Sequence, residues 1–218
     1  MPLSQWQEIA RLGSWEWDVG NDRIEWSDEM FRLLGLTSGE CEPTCDGFLR
    51  HVHPDDRERV DAILRKACQD RVPFAFDHRI VRPDGKTRWL HGQGVAVVDG
   101  DGRAVRLLGT AQDITERKRA EQRFRGLLES APDAMVIVDQ TAAILLVNSQ
   151  TERMFGYRRE ELIGQPMEIL VPERLRRRHI DHRVKYFASP RPRLMGRGIE
   201  LCARRKDGRG YVQLRYWK

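Results

Sequence analysis

The sequence predicts an α+β fold used twice in tandem. Three observations carry that reading. Apolar and polar residues alternate in short runs that come as hairpins, helical periodicity is confined to the stretches between those runs, and the whole order recurs once along the chain. The recurrence is clearest in "RIVRPDGKTRWL" (79–90) and "ELCARRKDGRGYVQL" (200–214), each a strand, an Asp-Gly turn and a second strand. It extends upstream, where "MFRLLGL" (30–36) matches "MFGYRREELIGQ" (154–165), each a short helix stopped at glycine. Glycine suits the hairpin turn because it adopts positive φ without a Cβ clash.

In the first copy Trp15, Trp17 and Val19 alternate, and so do Ile24 and Trp26 beyond the turn "GND", which gives an opening hairpin. Short helical pieces cover about residues 28–50. A longer helix opens at "HPDDRERVDAILRKACQD". Pro54 fits its first position, where a missing N–H costs nothing, and Asp55 and Asp56 favour the positive end of the helix dipole. Val60, Ile63, Leu64 and Ala67 form its apolar stripe. Three strands follow: one with Phe74, Phe76, His78 and Ile80 on a single face, then 88–98 and 105–113, joined at "PDGK" and "DGDGR". That order places the helices on one face of an antiparallel sheet. The second copy starts alike, with strands at 134–139 and 144–148 and helices from "SQTERMFGY", "REELIGQ" and "VPERLRRRHIDHRVKYF". It stops at "GYVQLRYWK", about where a fourth strand runs, so this copy is expected to be incomplete, without its last strand, and the less ordered of the two.

Composition narrows the function. The 218 residues are 40% hydrophobic and 33% charged, as in soluble globular proteins. No apolar run approaches the ~20 residues of a membrane span, and the N-terminus lacks a secretory pattern, so the expected compartment is the cytoplasm. Cys41, Cys45, Cys68 and Cys202 are too sparse for a disulfide framework, and the C-x3-C of Cys41 and Cys45 has no second pair to complete a zinc site. His51 and His53 beside Asp55 and Asp56 read as a helix start rather than a metal site. With no phosphate loop, nucleophile elbow or metalloprotease histidine pair, the chain is expected not to be an enzyme. The net charge of +5 hides an asymmetry: residues 174–218 carry 15 Lys and Arg against 3 Asp and Glu, leaving −7 for residues 1–173. Base-stacking aromatics are not interleaved among those arginines, so nucleic acid is not an expected partner.

The ordered set "GSWEWDV", "HPDDR", "RPDGKTRWL" and "GTAQDITERKRAE", followed by "SAPDAMVIVD", "NSQTERMFGYRREELIGQ" and "RRKDG", resembles the PAS family twice over, across roughly residues 10–214. The resemblance implies, in each copy, a five-stranded antiparallel sheet of order 2-1-5-4-3 with helices across one face. It also implies a sensory and dimerising module, found upstream of a histidine kinase, a diguanylate cyclase or a partner protein. On that plan residues 1–115 are the first domain, 116–131 a helical linker and 132–218 the second domain.

The last strand of the first copy turns into a helix without a loop. Asp113, with Glu116 three residues on, has the spacing of a capping box. The resemblance makes Asp113, Ile114, Thr115 and Glu116 the element that passes a change in the sheet to the helix. Along that helix Ala120, Phe124, Leu127 and Ala131 recur as a short coiled-coil-like seam for a homodimer, and Pro132 ends it. In haem-bearing oxygen sensors of this family a proximal histidine occupies the long helix, which makes His179 the candidate haem ligand here. Their ligand-binding arginine corresponds to Ile199, with Arg197 out of register, so haem is not expected to bind. Neither copy carries the "NCRFLQ"-type cysteine motif of flavin photosensors, and no flavin adduct is expected.

Overall fold

The computed structural model describes residues 12–37, 39–40, 44–188, 201–208 and 211–214. The chain divides into two compact units between Glu121 and Gln122.

The first unit runs β1 (Leu12–Asp18), β2 (Arg23–Trp26), α1 (Asp28–Leu34), α2 (Cys45–His51), α3 (Pro54–Asp70), β3 (Phe74–Val81), β4 (Thr87–Val98) and β5 (Ala104–Asp113). Its sheet has the order β2-β1-β5-β4-β3 with every neighbour antiparallel, as the resemblance implied. Local chemistry sets the helix ends. Ser27 accepts from the Met30 amide to start α1, and Gly35, at φ 74°, ends it in the left-handed region that a side chain disfavours. His53 caps α3 by accepting from the Asp55 amide at 3.3 Å, which places His53 and Asp55 at a helix start. Val60, Leu64 and Ala67 of α3 are buried, the Val60 and Leu64 side chains each contributing roughly 1.5–3 kcal/mol by leaving water. Asp56 does more than complement the helix dipole. It accepts from the Arg79 amide at 2.8 Å and pairs with the Arg79 guanidinium at 2.7 Å, which fastens α3 to β3. The hydrogen bonds from Arg79 outweigh partial burial and hold the Asp56 carboxyl down at about 2.

The second unit contains β6 (Val136–Val138), β7 (Ile144–Val147), α5 (Ser149–Phe155), α6 (Arg159–Leu162), a 3-10 turn (Met167–Leu170), α7 (Glu173–Ala188), β8 (Leu201–Arg204) and β9 (Tyr211–Leu214). Its strands form two separate pairs, β6–β7 and β8–β9, and among the described residues no strand bridges them. Among the described residues its apolar cluster centres on Ile144, Val147, Phe155, Leu162, Leu170 and Ala203.

Asn148 supplies much of the order beside that cluster. Fully buried, it accepts from the amides of Met135 at 2.9 Å and Thr151 at 3.1 Å, and so caps α5. Its Nδ2 donates to the carbonyls of Leu128 at 3.0 Å and Asp133 at 2.8 Å. Both amide hydrogens and the carbonyl oxygen are thus satisfied, the condition under which a buried amide stabilises rather than costs.

Candidate functional site

Alternation along β3 sends Phe74, Phe76, His78 and Ile80 to the helix-covered face of the first sheet. Glycines stand opposite the aromatic rings. Phe74 pairs in register with Gly94 and Phe76 with Gly92, and on the other side Trp15 of β1 pairs with Gly109 of β5. A Cβ on Gly109 would lie 2.4 Å from the Trp15 ring, and one on Gly94 would lie 2.6 Å from that of Phe74. The rings from β1 and β3 therefore fill the space that side chains on the central strands would take. Trp15 stacks on Phe74 at 6.2 Å and Phe74 on Phe76 at 5.9 Å, and Phe76 leans on His78 at 5.2 Å. Phe48 of α2 meets the imidazole edge-on at 6.0 Å.

Beside this row lies a cavity of about 30 Å³. That is room for a water or two and far below the roughly 300–1,000 Å³ of ligand pockets, so neither haem nor flavin fits this interior as it stands. His78 is 2% exposed, and neither ring nitrogen has a hydrogen-bond partner. Burial pushes its pKa down to about 4, which keeps the ring neutral. A neutral imidazole still carries one donor and one acceptor, and leaving such groups unpaired costs roughly 1–3 kcal/mol. On the opposite face of the sheet a broad, open hollow of about 910 Å³ spans Ser14, Glu16, Gln93, Val95, Leu108 and Thr110. It is a solvent-facing groove, while the enclosed chemistry lies at His78.

The strand-to-helix joint leads into α4 (Thr115–Ser130). The Ile114 amide donates to the Trp89 carbonyl at 2.9 Å, and the Trp89 amide donates to Thr115 Oγ1 at 2.9 Å. Ile114 and Thr115 are both buried. Asp113 accepts from the Thr115 amide at 2.8 Å and lies 3.8 Å from Arg88. The joint thus differs in register from the capping box expected of the sequence. Because the Ile114 amide continues the hydrogen bonding to β4 past the end of β5, the helix opens at Thr115, and Asp113 accepts from that first helical amide. Glu116 accepts from Arg119 at 3.0 Å. A further anchor was not read from the sequence: Lys118 reaches Asp77 of β3 at 2.7 Å and lies over the Trp89 ring at 5.2 Å. Beyond it Phe124 and Leu127 of the expected seam are 51% and 72% exposed.

His179 stands on α7, half-buried, with Nδ1 3.1 Å from Glu168 Oε1. A carboxylate only accepts, so Nδ1 carries the proton. Glu168 is buried, and Arg183 Nε also approaches it at 3.1 Å. Arg197, Ile199 and Cys41 lie outside the described residues. The Cys45 thiol is pushed up to about 12, first by burial and then by nearby aspartates, and so is not a ready nucleophile. Among the described residues no three His, Cys, Asp or Glu side chains are grouped to hold a metal ion, and no helix is long and apolar enough to cross a membrane.

A sheet interior closed by its own rings, a final strand feeding a helix through a locked joint, and a second copy of the same order downstream define a tandem of small α+β sensory domains. Residues 23–111 and 122–211 each match the PAS fold, and the chain belongs to the PAS-fold family. It is similar to the sensor protein FixL of Bradyrhizobium diazoefficiens, 32% identical over 205 residues, a span of 90% of this chain and 40% of that protein. It is also similar to the probable diguanylate cyclase DgcE of Escherichia coli, 29% identical over 167 residues, or 73% of this chain and 15% of that one. The chain thus spans well under half the length of these relatives. A crystal structure of a sensory box histidine kinase/response regulator from Burkholderia thailandensis matches with a TM-score of 0.50 at 27% identity, over 57% of this chain and 92% of that one.

Proposed function

We propose that this chain is a sensory input module that acts without catalysis of its own, in a cytoplasmic setting, upstream of an output such as a histidine kinase or diguanylate cyclase. The signal enters the interior of the first unit and leaves through α4. One observation carries the reading: His78, buried and unpartnered, ends a row of rings laid over glycine, so a small planar uncharged molecule with one hydrogen-bonding group that displaces Phe48 or Phe76 from this interior gains both a stack and a partner. Charged ligands are disfavoured by the dry apolar walls. The similarity to sensor proteins and to a probable cyclase supports the upstream role, and the exposed Phe124 and Leu127 support self-association along α4. Phenol and toluene test the interior as probes of equal shape. Phenol is expected to raise the melting temperature of the full chain more than toluene, and His78→Leu is expected to remove the difference. Equal responses to the two probes in the wild type would defeat the reading.

A second reading rests on His179. Its Nδ1–H on buried Glu168 fixes the ring and leaves Nε2 free, the arrangement that orients an imidazole to hold a metal ion. His179 would hold the iron of a haem, Glu168 would orient His179, and the group would supply the metal centre at which a diatomic ligand is taken. Ile199 offers no hydrogen-bond donor at the position where related sensors place arginine. A Soret band after haem supplementation, lost in His179→Ala, supports this reading, and no band leaves the first unit as the site of input.

A further inference from the structure

Residues 77 and 78 are neighbours on β3 that face opposite sides of the sheet. His78 looks into the interior just described. Asp77 lies on the outer face, where its Oδ1 accepts from His91 Nδ1 at 2.7 Å and its Oδ2 from Lys118 Nζ at 2.7 Å. Arg117 adds a more distant charge at 3.9 Å. Lys118 belongs to the first turn of α4, so a single carboxylate joins an outer strand, its neighbour β4 and the outgoing helix. Asp77 and Lys118 are each little more than a quarter exposed, so water screens the pair only in part. Trp89 frames the contact: Arg79 lies over its ring at 5.8 Å and Lys118 at 5.2 Å.

β3 is also held from its helix side. Arg59 of α3 donates to the Asp77 carbonyl at 2.7 Å, and Asp56 grips Arg79. The residue that meets the interior is therefore fixed in its backbone on both sides, and its displacement is carried directly into residue 77. Successive side chains on a pleated strand point to opposite faces, so a tilt of the backbone at residue 78 moves the outer side chain of residue 77 with it. The joint at Asp113–Thr115 is built on β5 and β4, whereas this link starts from β3, three places along the sheet from β1.

We propose that Asp77 is the positioning residue that transmits the state of the first unit's interior to helix α4, acting on Lys118. The proposal rests on the interior being the site of input, and its test is arranged to separate the two. A double-mutant cycle in the full chain changes the interior by His78→Leu and the contact by Asp77→Asn, with amide exchange of residues 115–121 as the readout. His78→Leu is expected to alter exchange in that segment by about threefold or more on the wild-type background, and by much less when Asp77→Asn is present, in keeping with the non-additivity of coupled residues. Exchange in β4 should respond to His78→Leu in both backgrounds. A merely structural role for Asp77 would change the level of exchange in the helix but leave its response to His78→Leu intact. Lys118→Met removes the same contact from the helix side and keeps His91 on Asp77, so it should reproduce the loss of response if Asp77→Asn disturbs folding. An undiminished response in both variants, or no response of residues 115–121 to His78→Leu, overturns the proposal. The phenol and toluene comparison reports on the input site independently: failure there with a positive cycle removes the ligand class and keeps the coupling.

Discussion

The two units start from one pattern and reach order by different means. In the first, β5 lies between β1 and β4, so the sheet is continuous and its inner face is packed by rings over glycine. In the second, two strand pairs stand apart among the described residues, and one buried asparagine ties together the chain at Leu128, Asp133, Met135 and Thr151. Burial of apolar area is spread over many residues and tolerates single changes. A polar hub concentrates order at one side chain, because every group it satisfies is stranded when it is lost.

The sharpest way to break that comparison is Asn148→Ala. It leaves buried carbonyls and amides without partners and is expected to destabilise the second unit by at least about 3 kcal/mol. Trp15, Trp17, Trp26 and Trp89 lie in the first unit and Trp217 falls within residues 122–218, so in a Trp217→Phe background a fluorescence melt should stay unchanged while circular dichroism shows the loss elsewhere. A joint shift of both signals would mean that the units do not draw their order from separate sources.

Acid separates them further. His78 titrates at about 4 in the folded chain, below its ordinary 6.5, so the unfolded chain takes up the proton first. Its contribution is complete above pH 6.5 and is lost as pH falls toward 4, by at most about 3 kcal/mol. Asp56, held at about 2, adds a loss in a separate window below the ordinary carboxylate value of 3.8. Denaturant melts followed by tryptophan fluorescence in the Trp217→Phe background should show the first unit weakening between pH 6.5 and 4.5, and His78→Leu should flatten that slope. An unchanged slope in the variant would assign the acid sensitivity to other groups.

The smallest effect concerns the joint. Asp113→Ala removes the acceptor from the Thr115 amide and is expected to cost about 1 kcal/mol in the first unit. No shift of the tryptophan melt beyond error would show that Thr115 and Trp89 hold the joint without it.

Much of this contrast was legible in the sequence, and the exceptions share a cause. Alternation and Asp-Gly turns placed all five strands of the first unit, because side-chain period and turn chemistry are local properties. Pro54 and the acids after it marked the start of α3 for the same reason. His78 was visible as one of four residues on the inner stripe, yet its lack of partners depends on what Phe48 and Phe76 place around it. Lys118 and Asp77 lie far apart in sequence, and nothing local announces their pairing. The cap at Asp113 was found but set in the wrong register, since β4 extends strand pairing as far as Ile114. Asn148 was not singled out in the sequence: its cap on α5 is local, but its bonds to Leu128 and Asp133 come from tertiary structure alone.

Hydrogen exchange on the full chain, in a monomeric sample and resolved by segment, tests the difference between the units most directly. Amides of β1, β4 and β5 should exchange slowest, through global unfolding of the first unit, and those of β6–β9 should exchange much faster, through opening of lower free energy. Equal protection of the two sets in the monomer would contradict the account, because it would require the second unit to be held as firmly as a continuous sheet.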